Sequence, residues 1–191
     1  LLPLSFGNEQ EAKDYLRFSN GELQGKHVFS HVINDFRFCY ALDAEIRQFL
    51  ERTFSAVFIR HAGAVNLSLF FNHRSFDGTS AALFVGEKIM ELALRKNDQL
   101  VYYNVLNWSV AEDVLYYLMF AFEQYGFDPA TIPLALAGEF PMDGEIAKLL
   151  KKYIQRIHPV VTGHPVKLHK ELAQLPGHFY FSLLNQHTCE L

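Results

Sequence analysis

Two glycine–acid pairs, Gly86-Glu87 and Gly138-Glu139, sit in the apolar runs ALFVGEKIMELAL (82–94) and LALAGEF (134–140). A glycine in such a place lets two backbones, or a backbone and a ligand, come close with no side chain in the way. Successive amides in a turn form a concavity that holds phosphate, and a nearby carboxylate organises Mg²⁺ and water. These four residues are therefore the candidate phosphate-binding set.

Glu87 and Glu139, with Asp143, raise a second chemistry. Carboxylates converging at strand ends can hold the divalent ions of a nuclease. A turn charge, a loop charge and a helix cap account for the same residues more simply. Nine histidines suggest zinc. His27 and His31 are four apart on a strand-like run, about 13 Å from one another, too far for one ion. His158, His164 and His169 lack Cys or carboxylate partners at ligand spacing and read as loop or surface residues. Cys39 and Cys189 fit no metal or redox spacing, and His187 beside Cys189 makes no convincing nucleophile pair. So few cysteines suit a reducing cytoplasm. Lys148, Lys151, Lys152 and Arg156 read as a solvated helix face.

A net charge of −4 over 191 residues gives no electrostatic reason to expect nucleic-acid binding. Half of the residues are hydrophobic, enough for a substantial core. The longest apolar stretch, Val114 to Phe122, is too short to span a bilayer. No signal peptide is visible, and the missing initiator Met suggests a fragment or a trimmed chain.

The positioning elements follow from periodicity. Glu9 to Phe18 predicts a short helix capped by Asn8. HVFSHVINDFRFCYAL, from His27 to Leu42, alternates as a long strand or hairpin. Asp43 caps a helix over 44–54 whose Ile46, Phe49 and Leu50 share a face. A short buried strand over 55–60 and a helix over 62–73 follow. Three strands, 81–86, 89–96 and 100–107, form a meander with a tight turn at Lys96-Asn97-Asp98. Ser109-x-x-Glu112 is a capping box opening a helix that ends at Gly126. Its apolar stripe, Val110, Val114, Leu118, Ala121, Phe122 and Tyr125, is widened by Leu115, Met119 and Phe120. Such width predicts cover on more than one side. A buried strand over 132–137 and an amphipathic helix carrying Ile146 to Ile157 come next. Val160-Val161 predicts a further strand. The tail holds a short helix around 167–175 and an apolar segment, 178–184, of either type.

From Ser80 onward the order is three strands, helix, strand, helix, strand. A three-strand meander followed by strand–helix units describes a ribonuclease-H-like half, covering 78–191. Residues 1–77 read as strand, helix, strand, helix, the later portion of a first half that is incomplete at its N-terminus. Two such halves make the actin-like α/β architecture of actin, Hsp70 chaperones and sugar kinases. There the helix after Trp108 would be sandwiched between its sheet and the companion half.

The stretch Leu100 to Phe140, with KLLKKYIQRI and HFYFSLLNQHTCEL, also resembles an uncharacterised bacterial family, a domain of unknown function with an actin-like ATPase fold. A weaker resemblance covers most of the chain from Leu2. It implies further strands ahead of Leu1, and a fold without an established activity. Actin-like ATPases wrap phosphates in one glycine hairpin per half, the second reading Asp-x-Gly-x-x-x-Thr. Here Gly86, Glu87, Gly138 and Glu139 keep the glycines and lose the metal-organising Asp. The expectation is a non-catalytic scaffold or interaction module with a degenerate site for ATP and Mg²⁺, binding a protein partner or a second copy. The alternative is a working ATPase or kinase whose first phosphate loop lies upstream.

Overall fold

The computed structural model describes residues 1–5, 9–161 and 169–186 of the chain. Asn8, His164, His187 and Cys189 lie outside the described residues, and so does the start of the helix expected around 167–175. The described residues divide into two compact units, 1–68 and 69–186, with the division inside the helix α3 (Ala62–Asn72).

In the first unit β1 (Leu2–Pro3) pairs with β3 (Phe36–Asp43), which pairs with β2 (Lys26–Ile33), all antiparallel. The strand-like run is thus a hairpin, turned at Asn34-Asp35 with Asn34 at φ 53°. Helix α1 spans Glu9–Asn20 and α2 spans Ala44–Thr53. Asp43 takes the N-cap position of α2, but its side chain makes no capping bond. No residue of α2 is buried, so Ile46 and Phe49 face outward rather than into a core. Residues 55–60 form no strand, and Phe58 is 86% exposed. An apolar run this short carries no periodicity to separate strand from coil. The Tyr40 hydroxyl ties it down by donating to the Ile59 carbonyl at 2.9 Å. Helix α3 runs over Ala62–Asn72.

The second unit is built on a five-stranded sheet. Its strands are β4 (Ser80–Val85), β5 (Ile89–Lys96), β6 (Gln99–Asn107), β7 (Leu134–Gly138) and β8 (Ile157–Pro159). Their order is β6-β5-β4-β7-β8. The first three are the expected antiparallel meander, and β7 and β8 add in parallel. Asn97 and Asp98 both take positive φ at the β5–β6 turn, the conformation that matches strand twist in a two-residue hairpin. The last strand lies three residues before the expected Val160-Val161. The helix before it, α5 (Glu145–Tyr153), stops short of Ile154 and Ile157, which cap it and enter β8.

Helix α4 (Ala111–Tyr125) follows β6, and α5 follows β7. Both pack on one sheet face, where Leu83, Leu92, Leu94, Leu134 and Leu136 meet Val114, Leu118, Phe122 and Leu150. The opposite face carries Ala82, Ala93, Ala135 and Ala137, also buried. Because β4 is covered on both faces, it is apolar throughout rather than alternating. In the tail, α6 (Phe181–Asn185) sets Phe181 against Phe84 on the second face, ring centres 6.4 Å apart.

The start of α4 differs from the expected box by one residue. Val110 is the N-cap, and the Asp113 carboxylate accepts from the amides of Ser109 (2.8 Å) and Val110 (3.2 Å). Asp113, not Glu112, therefore accepts the amides at the helix start, and the Val110 side chain, which has no acceptor, returns no bond. The end is as expected. Gly126 takes the left-handed conformation at φ 67°, and Phe127 donates back to Phe122. The wide stripe is not covered on two sides. Val114, Leu118, Ala121 and Phe122 are buried against the sheet, while Tyr116 is 62% and Phe120 51% exposed. Asp113→Ala should lower stability by about 1 kcal/mol, whereas Glu112→Ala should fall within about 0.5 kcal/mol of wild type. Urea unfolding of both variants distinguishes the two caps.

Candidate functional site

The sequence-derived residues converge. Parallel pairing places Val85 opposite Gly138, so Gly86-Glu87 and Gly138-Glu139 leave the same end of neighbouring strands. In open α/β sheets this carboxyl end, beside a change in strand order, is where ligands bind. Here the meander turns back at β4 while β7 continues the sheet in parallel.

The hydrogen-bonding groups at this edge are already engaged. The Gly86 amide donates to Ile89 O at 2.9 Å, and the Trp108 indole donates to Gly86 O at 3.0 Å. Trp108 also donates its amide to Lys88 O, so the hairpin tip is held from both sides. The Glu139 amide donates to Val85 O at 3.3 Å. The Gly138 amide donates to His178 O at 3.0 Å. His178 is buried, and its Nε2 lies 2.8 Å from the Phe140 carbonyl, which fixes that nitrogen as the protonated donor. A tail segment thus supplies the acceptor for the last amide of β7.

The glycines remain necessary for packing. Gly138 has φ 141°, a conformation closed to side chains, and a Cβ there would collide with the Val85 carbonyl. Glu87 and Glu139 are exposed, as is Asp143. Among the described residues no group of three or more His, Cys, Asp or Glu side chains is arranged to hold a metal ion. His158 and His169 lie apart in their environments: His158 stands beside Phe76, and His169 pairs with Glu171.

Sequence reasoning missed two polar clusters. On β5, Glu91 is buried, and the Tyr103 hydroxyl donates to it at 3.0 Å. Burial and the Glu91 charge push the Tyr103 phenol well above its usual range. The signal was an acid amid the apolar positions of IMELAL. Arg95 is fully buried at the end of the same strand. Its guanidinium stacks over Phe70 and Phe71, donates to Phe71 O, and pairs with Asp77 at 3.5 Å and Asp98 at 3.9 Å. A buried cation needs such partners; Asp98 lies only three residues away, but Phe70, Phe71 and Asp77 come from the segment before β4.

In the first unit an aromatic face carries Phe29, His31, Phe38 and Tyr40, with His61 packed against Phe38 and Tyr40. Burial lowers the affinity of His61 for its proton. Burial, then the Arg60 charge, does the same for His31. Burial raises Tyr40 to about 12.

A family model described as "Protein of unknown function (DUF3822)" matches residues 1–157. The chain belongs to that family. Among solved structures, the DUF3822 chain is similar to a protein of unknown function with an actin-like ATPase fold from Bacteroides thetaiotaomicron VPI-5482. The TM-score is 0.73 at 17% identity, covering 99% of this chain and 69% of the other. It is also similar to a PilM-PilN type IV pilus biogenesis complex, with TM-score 0.57, 15% identity, and 96% and 72% coverage. No curated protein matches significantly. The fold of the DUF3822 chain is therefore actin-like, as the strand order and the resemblance implied.

Two outcomes follow from this geometry. Gly138→Ala should cost at least about 2 kcal/mol, because both the conformation and the space exclude a methyl. Gly86→Ala should cost less, since its Cβ would lie 3.2 Å from Ile89 O, close but yielding. Chemical denaturation ranks the pair. His31 and His61 bind protons more weakly folded than unfolded, so the unfolded chain takes up more protons as pH falls below 6.5. Stability contributed by these imidazoles is complete above that value and declines below it. The wild-type melting temperature should drop between about pH 8 and about pH 5 more than that of His31→Gln/His61→Gln.

Proposed function

We propose that this chain is a non-catalytic actin-like scaffold or interaction module whose nucleotide site, at the ends of β4 and β7, is degenerate. The observation that carries this reading is the engagement of the amide donors there. Gly86, Gly138 and Glu139 donate within the chain. An actin-like nucleotide site needs such donors aimed outward at phosphate oxygens. Two exposed carboxylates, Glu87 and Glu139, would stand beside any bound triphosphate and repel it. Residues 1–77 and 78–191 would correspond to the two halves of the architecture.

The same reading gives the protein a protein partner rather than a small substrate. A structural relative is named for a two-protein complex, PilM-PilN, which supports an interaction role on this fold. Among the described residues no helix is long and apolar enough to cross a membrane. A cytoplasmic setting fits the two cysteines, which form no redox or metal motif.

Thermal unfolding with millimolar ATP and Mg²⁺ tests the proposal. A ligand present at a hundredfold its Kd adds about 2.7 kcal/mol. The expected result is no shift. A clear rise in melting temperature, lost in a variant that places a bulky residue at Gly86, would favour the ATPase or kinase reading instead.

A further inference from the structure

We infer that the outer flank of α4 is a docking groove for an amphipathic, basic segment of another protein. The inference rests on the interaction-module reading and names the surface that does the interacting. The groove runs between α4 and the end of α5, with a volume of about 610 Å³. Its floor and walls are apolar: Leu115, Tyr116, Met119 and Phe120 from α4, and Tyr153 from α5. Tyr116 and Phe120 stack on each other at 6.1 Å, and both are more than half exposed. Large aromatic side chains left in water at adjacent helical turns are the residues that anchor protein interfaces.

Charge identifies the occupant. The charged residues lining the groove are Glu112 and Glu123, one towards each end. Helix α4 contains no Lys, Arg or His, and the α5 lysines Lys148, Lys151 and Lys152 are not among the residues lining the groove. The two carboxylates are eleven positions apart, about 16 Å along the helix at its normal rise. A partner helix of about three turns would lay its apolar stripe on Tyr116 and Phe120 and set one Lys or Arg against each glutamate. A second copy meeting this helix face to face would bring four carboxylates together, which opposes self-association through α4.

The probe is a fluorescein-labelled 14-residue helical peptide with Leu at i, i+4 and i+7 and Arg bracketing them eleven apart. The control peptide carries Glu in place of Arg. Anisotropy should show binding of the basic peptide only, weakening as salt is raised. Phe120→Asp should weaken it about tenfold or more with an unchanged melting temperature, since the side chain is half exposed. Glu112→Gln/Glu123→Gln should weaken it several-fold and flatten the salt dependence. Equal binding of the two peptides, no binding of either, or indifference to Phe120→Asp overturns the inference. So does a dimer in sedimentation velocity that Phe120→Asp dissolves. Peptide binding and the ATP shift are separate measurements, so either can fail alone.

Discussion

The parallel seam between β4 and β7 is the constraint on which the second unit depends. β4 is the central strand, paired on one edge with β5 and on the other with β7. It joins the local meander, closed by a two-residue turn, to a strand that arrives only after α4. That long-range pairing requires α4 to lie flat on the sheet, because the connection must cross from the outer strand β6 to β4's far edge. The small residues on the second face and the leucines on the first follow from β4 and β7 being covered on both sides. Where the seam ends, Val85 and Gly138 approach so closely that no side chain is tolerated.

The close approach accounts for a glycine at this position without any ligand. Here Gly138 admits the Val85 carbonyl and hands its amide to His178. The steric reason for glycine is satisfied inside the fold, so its presence carries no information about nucleotide. The informative feature is the direction of the N–H groups, which no sequence pattern reveals.

Much of the second unit was legible in the sequence. Asn97-Asp98, Gly126 and the uninterrupted apolar β4 each announce a local geometry that needs no tertiary context. The fold class followed from the order of elements because few topologies satisfy short, right-handed connections. The first unit was less legible. Residues 55–60 look like a strand by composition, but Tyr40 holds them through one side-chain bond rather than a ladder. Ile46 and Phe49 repeat with helical spacing, yet α2 buries no residue. The candidate site divided the same way. Pairing register brings Gly86 and Gly138 to the same end of neighbouring strands, whereas the tail at His178 that accepts the Gly138 amide is forty residues downstream, in a segment that read as either strand or helix.

The breadth of the α4 stripe shows what apolar width does and does not imply. One helix face of Val114, Leu118 and Phe122 is enough to seal the sheet. Tyr116 and Phe120 add nothing to that seal, and each leaves more than half of its surface in water. Burial among the described residues therefore does not account for them. Aromatic residues retained at such positions, bracketed by like charges, have the composition of an interface core with its polar rim. The excess hydrophobicity that suggested two-sided burial resolves, among the described residues, into one-sided burial and an exposed aromatic flank, the surface the docking proposal uses.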